Sequence, residues 1–337
     1  MQISITVEGQ EGLTWPRWKR LVAEVENLGY AGLYRSDHFP SGQPALELIV
    51  SLAYLANQTQ RIHFGSLVAP LSFRDPVMLA RQAAALDDLS AGRLVLGLGA
   101  GWQEDEHRVW GYPLGDVATR SARFQEGLEV ITQLLHNDDP VTFDGQFYQL
   151  QEALLLPRPQ RPGGPDILIG GNGVRRTLPL VARYANIWNV FHLTPEVFRE
   201  RSAILDDLLR TVGREPGDVK RTMMANVFCG HSEAELRRRA DFFYRNWFPN
   251  LSGQSFSTLL NALEEAIGPL LNSVGASFCP IVGTPEAVVD QIHAYASAGL
   301  EELIIQWWDV EDIEGLQMYA DTFKALAEAS SAQEKPF

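Results

Sequence analysis

Four short stretches of this 337-residue sequence carry groups able to do chemistry. In SDHF, Ser36–Phe39, an Asp–His pair follows a short apolar run. An imidazole titrates near neutral pH and suits proton transfer, although Ser36 or Asp37 capping a turn beside a surface His38 would give the same four residues. GLGAGW, Gly97–Trp102, has three alternating glycines, which let a flat ligand approach the backbone. It lacks the last glycine of GxGxxG and ends a fourth strand rather than a first, so it is a poor dinucleotide fingerprint. GGNG, Gly170–Gly173, lies between a strand and a helix, where free N–H groups make an anion site. Arg175 and Arg176 follow at once and point to a phosphate, unless they simply solvate a helix face. GSLVAP, Gly65–Pro70, reads by itself as a buried strand. Trp188, Trp307 and Trp308 stand at strand ends, where they either pack the core or line a pocket for an aromatic ligand.

Absent patterns narrow the field. The seven histidines (38, 63, 107, 136, 192, 231, 293) include no HxH or HExxH spacing, so no metal site is expected. There is no GxSxG elbow and no Walker A loop.

The elements that must position these residues alternate along the chain. Strands are predicted at Ile3–Val7, Gly32–Tyr34, Ile62–Val68, Arg93–Gly99, Asp166–Gly170, Ala185–Val190, Arg221–Cys229 and Glu302–Trp308. Helical periodicity follows each, as in Trp15–Leu28, Leu46–Ala56, the segment opened by Pro76, Ser121–Leu135, Val174–Tyr184, Pro195–Val212 and Pro285–Ala298. VTFDGQFYQL (141–150) reads as a hairpin around Asp144–Gly145. Strands joined by helical crossovers are parallel, and eight of them suggest a closed (β/α)8 TIM barrel of α/β class with its site at the C-terminal strand ends. The expected domain is one barrel over 1–330 with insertions near 141–165 and 240–278, and a tail at 331–337.

The net charge of −14 disfavours nucleic acid and anionic membrane as partners. Two distant cysteines, Cys229 and Cys279, fit a reducing compartment, and a cytoplasmic location is expected. Residues 1–8 lack the form of a signal peptide, and no apolar run reaches the ~20 residues of a membrane span.

Taken in order, these pieces resemble the bacterial-luciferase-like superfamily, and within it the luciferase-like monooxygenase and F420-dependent oxidoreductase group. The resemblance is carried by SDHF, by residues 63–113 (HFGSLVAP through GLGAGWQEDEHRVWGYP), by FDGQFYQL (143–150), PDILIGGNG (165–173), RTLPLVARYANIWN (176–189) and residues 283–305. It covers most of the chain except roughly 240–278. It implies a luciferase-like barrel that sets a tricyclic cofactor against a small-molecule substrate. His38 would exchange a proton with the substrate, and Asp37 would shape its surroundings. Ser66–Leu67 would be a non-prolyl cis peptide behind the ring, with a trans bond there arguing for FMN. Ala100 and Gly101 would run along the ring or its ribityl chain. Gly170, Gly171, Asn172, Gly173 and Val174 would hold the phosphate, and Glu8 and Trp102 lie where ring-side groups could act. Arg158, Arg161, Arg175 and Arg176 could supply cations for an anionic tail. The expected activity is hydride transfer with coenzyme F420. The alternatives are an FMN-dependent monooxygenase and a non-catalytic flavin-binding protein. A homodimer is expected.

Overall fold

The computed structural model describes residues 1–40, 42–273 and 275–333. Eight parallel strands form its centre: β1 (Gln2–Val7), β2 (Gly32–Arg35), β3 (His63–Ser66), β4 (Leu94–Gly99), β5 (Asp166–Gly170), β6 (Ile187–Phe191), β7 (Lys220–Ala225) and β8 (Glu302–Trp307). Their order round the sheet is β3-β2-β1-β8-β7-β6-β5-β4. Phe64 pairs with Leu94 and Gly65 with Val95, which joins β3 to β4 and closes the barrel. The helices are α1 (Trp15–Leu28), α2 (Leu48–Gln58), α3 (Pro76–Leu89), α4 (Glu104–Trp110), α5 (Val117–His136), α6 (Thr177–Tyr184), α7 (Pro195–Thr211), α8 (Glu233–Arg239), α9 (Asp241–Asn246), α10 (Phe256–Ser273), α11 (Pro285–Ser297) and α12 (Ile313–Gln333).

Local sequence explains the element boundaries. α1 buries Trp18, Leu21, Val22 and Val25 on one face and stops at Gly29, whose φ of 88° a glycine adopts freely. Pro76 sits in the first turn of α3, and the Asp75 carboxylate accepts from Val77 and Met78 N–H. Alternation along the strands then sorts side chains between two cores. Tyr34, Leu67, Val95, Leu168, Ile187 and Ile304 fill the barrel. Trp18, Leu98, Trp188, Phe198, Trp307 and Tyr319 belong to the larger layer between strands and helices. Fully burying one large apolar side chain is worth about 1.5–3 kcal/mol, so this layer holds the strands in place.

Three elements differ from the sequence expectation. The strand expected over Arg221–Cys229 breaks at Asn226, and Val227–Cys229 pairs instead with Ile281–Gly283. The loop expected after β4 contains α4. α5 begins at Val117 rather than Ser121, because the Asp116 carboxylate caps it through Thr119 N–H at 2.7 Å. The non-prolyl cis bond is at Leu67–Val68, one residue beyond the expected Ser66–Leu67. The hairpin is present, with Val141–Asp144 antiparallel to Gln149–Ala153. Within 240–278, α9 and α10 bury Phe242, Phe243, Tyr244, Phe256 and Leu259 in an aromatic cluster of their own. Among the described residues, no helix is long and apolar enough to cross a membrane.

Candidate active site

His38 lies three residues beyond β2, with 18% of its side chain exposed. Its Nδ1 is 2.9 Å from Glu106 Oε2, and the other Glu106 oxygen accepts the Phe39 N–H. A carboxylate only accepts, so Nδ1 carries the shared proton and Nε2 is left for another partner. Burial lowers the basicity of His38. The Glu106 hydrogen bond and the charges of Glu8, Glu106 and Asp37 outweigh that and raise its pKa above the ordinary imidazole value. Glu11 shares this corner, its carboxyl pKa raised by burial and by the charge of Glu8. The Trp102 ring, 51% exposed, meets His38 edge-on at 6.2 Å.

Asp37 does not hold His38. Its two oxygens take Arg74 Nε at 2.7 Å and Nη2 at 3.0 Å, and Arg74 also reaches Glu47 at 3.0 Å. Asp37 acts on His38 through its charge, and the hydrogen bond to His38 comes from Glu106, 68 positions further along. Only the α4 turn brings it back over β2. Glu8, one residue past β1, accepts from Gln306 Nε2 of β8 at 2.7 Å and from Gln10 Nε2 at 3.2 Å.

The glycines of GLGAGW divide between two tasks. Gly97 serves strand packing, since a Cβ there would lie 1.9 Å from the Ser66 carbonyl oxygen. Gly101 belongs to the rim. Its φ is +83°, and a Cβ would lie 2.4 Å from Ser72 Oγ and 3.3 Å from His107 Nε2. His107, which the sequence did not single out, donates from Nδ1 to the Gln103 carbonyl at 2.7 Å. Its Nε2 then accepts from the Ser72 hydroxyl at 2.7 Å. Ala100 is partly buried against the main core.

At the end of β3, Ser66 is buried and donates to the Gly97 carbonyl at 2.7 Å, while Leu67 fills the barrel interior. The partly exposed neighbour is Val68, which lies against Gly99 and Gly170.

GGNG holds itself in place with half of its groups. Gly171 N–H donates to Asn189 O at 2.9 Å, and the Asn172 amide brackets the backbone of Phe191. The Gly171 N–H and the Asn172 side chain are thus engaged within the fold. Gly173 and Val174 N–H find no partner among the described residues, and Arg175 and Arg176 are exposed beside them. Arg158 and Arg161 are elsewhere. Arg158 binds Asp138 and the last carbonyls of α5. Arg161 binds Asp87 and Asp166, at the N-terminal end of β5.

Of the three tryptophans, two face away from the mouth. Trp188 stacks on Phe198 of α7, and Trp307 packs on Tyr319 of α12. Trp308, with the opposite parity to Trp307, donates from Nε1 to Asn226 Oδ1 at 2.8 Å. Asn226 Nδ2 lies 3.2 Å from Nε2 of the buried His192. The rim therefore carries His192, Asn226, Trp308, Glu8 and His38 just past the ends of β6, β7, β8, β1 and β2.

The profile of the luciferase-like monooxygenase family matches residues 2–302. The chain belongs to that family. Family membership makes it an oxidoreductase or monooxygenase. An F420-dependent glucose-6-phosphate dehydrogenase of Amycolatopsis mediterranei is 28% identical over 83% of this chain and 85% of its own. A 4-hydroxyprotoasukamycin monooxygenase of Streptomyces nodosus subsp. asukaensis is 35% identical over 93% of this chain and 85% of its own. The barrel superposes with TM-score 0.75 at 17% identity on an F420-dependent secondary alcohol dehydrogenase, covering 96% of this chain and 99% of that one. The family and the superposition thus account for the barrel and its strand order.

Proposed function

We propose that this luciferase-like oxidoreductase binds coenzyme F420 at the C-terminal mouth of the barrel and passes a hydride between it and a small organic substrate. When bound, the deazaflavin supplies two-electron hydride chemistry at the ring carbon that replaces flavin N5. The observation that carries the proposal is the His38–Glu106 pair. Glu106 fixes the tautomer of His38 and favours its charged form, so Nε2 can hold or accept the proton that leaves or joins a substrate oxygen as hydride moves. The residues fit a phosphorylated tricyclic group. Gly173 and Val174 N–H with Arg175 and Arg176 would hold a phosphate, and Gly101, where a side chain would strike Ser72 and His107, keeps the rim open. F420-dependent relatives support the choice of cofactor. The proposal further takes residues 1–330 as one domain, working as a cytoplasmic homodimer.

Two observations favour a second reading: the Ser66–Leu67 bond is not the cis bond expected with F420, and the 35%-identical relative is named as a monooxygenase. With reduced FMN in the same mouth, the chain would be a luciferase-type monooxygenase. Dialysis of the purified protein against each cofactor, followed by its absorbance spectrum, separates the two. Retained F420 absorbance with F420-linked turnover is expected. Retention of FMN alone, with oxygen uptake, would replace F420 by FMN.

A further inference from the structure

The substrate side of the mouth has a composition of its own. Trp308 stands one residue past β8, and its indole donates to Asn226. Its ring meets Trp247 at 5.0 Å, Phe243 at 5.1 Å and Phe242 at 5.7 Å, all at or just past α9. Trp247 is 37% exposed. Across the rim, Trp102 presents a second exposed indole beside His38. Aromatic faces held this way offer area and ring-to-ring contact at little cost in side-chain freedom.

The charges around this wall point the same way. Glu8, Glu11, Asp37 and Glu106 gather at the β1–β2 side. The nearby cations are committed: Arg74 to Asp37 and Glu47, Arg239 to Asp312, and Arg245 to Asp241 and Asp309. Among the described residues, no lysine stands at the rim. Lys19 lies over Tyr54, Lys220 opens β7 at the opposite end and Lys324 pairs with Asp321 of α12. Arg175 and Arg176 follow the β5 loop, on the phosphate side. A phosphorylated or carboxylated substrate on the β1–β2 side would meet the carboxylates of Glu8 and Glu11.

We propose that the Trp308–Trp247 wall binds an uncharged, flat, ring-bearing substrate. The inference rests on the proposed function only in placing substrate at the same mouth as the cofactor. It separates this chain from relatives named for glucose 6-phosphate, although the barrel is shared.

Equilibrium dialysis of the cofactor-free protein with 2-naphthol, and separately with glucose 6-phosphate, tests it. Saturable one-site binding of 2-naphthol is expected, with no saturable binding of glucose 6-phosphate at the same concentrations. Trp247→Ala should weaken 2-naphthol by about tenfold, the equivalent of one lost ring contact and its buried area, and Trp247→Phe should restore most of it. Trp308→Ala is the second position, and near-ultraviolet circular dichroism verifies that each variant is folded. Binding of glucose 6-phosphate without 2-naphthol would overturn the proposal. So would folded Ala variants at 247 and 308 that bind 2-naphthol like the parent. Because no cofactor is present, failure to retain F420 would remove the cofactor assignment and leave this result standing.

Discussion

Replacing Glu106 by Gln keeps the shape of the α4 turn and removes the charge that faces His38. In the parent protein the imidazole is pulled two ways: burial disfavours its cation, and the 2.9 Å bond to Glu106 with the surrounding carboxylates favours it. The side chains of His38 and Glu106 are 18% and 5% exposed, so solvent screens the pair little. A hydrogen bond to a charged partner contributes about 1.5–3 kcal/mol, which corresponds to about a ten- to hundredfold change in the protonation equilibrium. Glu8 and Asp37 remain in the variant, so the lower end is expected. The sign follows from the direction of the shift. The Glu106 bond stabilises the imidazolium, so its removal moves the His38 titration to lower pH. It also takes away folding stability present below the ordinary imidazole pKa and lost as pH rises through the raised one. Nuclear magnetic resonance titration of the His38 ring protons, in parent and Glu106→Gln, reads this directly, and the matching limb of the kcat/KM profile should move with it. A His38 titration unchanged in Glu106→Gln would refute the assignment of Glu106 as its orienting partner.

Three further outcomes follow from the same geometry. Gly101→Ala should destabilise the fold by about 1–3 kcal/mol, through its positive φ and the clash with Ser72 Oγ, in urea denaturation. An unchanged midpoint would mean that the rim is looser than drawn. Arg74→Gln leaves Asp37, 12% exposed, without its partner and should cost about 2–4 kcal/mol, whereas Arg74→Gln combined with Asp37→Asn should recover much of that loss. His192 is held neutral by burial, its pKa lowered to about 4 from 6.5. The unfolded chain then binds a proton that the folded chain refuses. Stability from this group is full above about 6.5 and falls by about 3 kcal/mol as pH drops toward 4. His192→Gln should flatten that acid limb, and a parallel acid limb in the variant would remove His192 as its cause.

Eight strands were legible in the sequence because each is a short apolar run bounded by turn residues, and the helices between them repeat at 3.6 residues. His38, Gly101 and GGNG were legible as site candidates because residue type and place at a strand end are both local properties. Partnership is not local. Asp37 adjoins His38 in sequence and yet closes on Arg74, while Glu106 reaches His38 from 68 positions away. Trp188, Trp307 and Trp308 look alike in sequence. Strand parity turns the first two outward, onto Phe198 and Tyr319, and leaves Trp308 to Asn226. Arg158 and Arg161 precede the phosphate loop closely in number, but they pair with Asp138, Asp87 and Asp166, the last at the N-terminal end of β5. Residue type and periodicity sufficed for the eight barrel strands and their order, but not for α4 or for the break of β7 at Asn226. Only the closed barrel decided which side chains meet across the mouth, because a hydrogen bond or ion pair forms between neighbours in space, and the barrel's closure sets those neighbours.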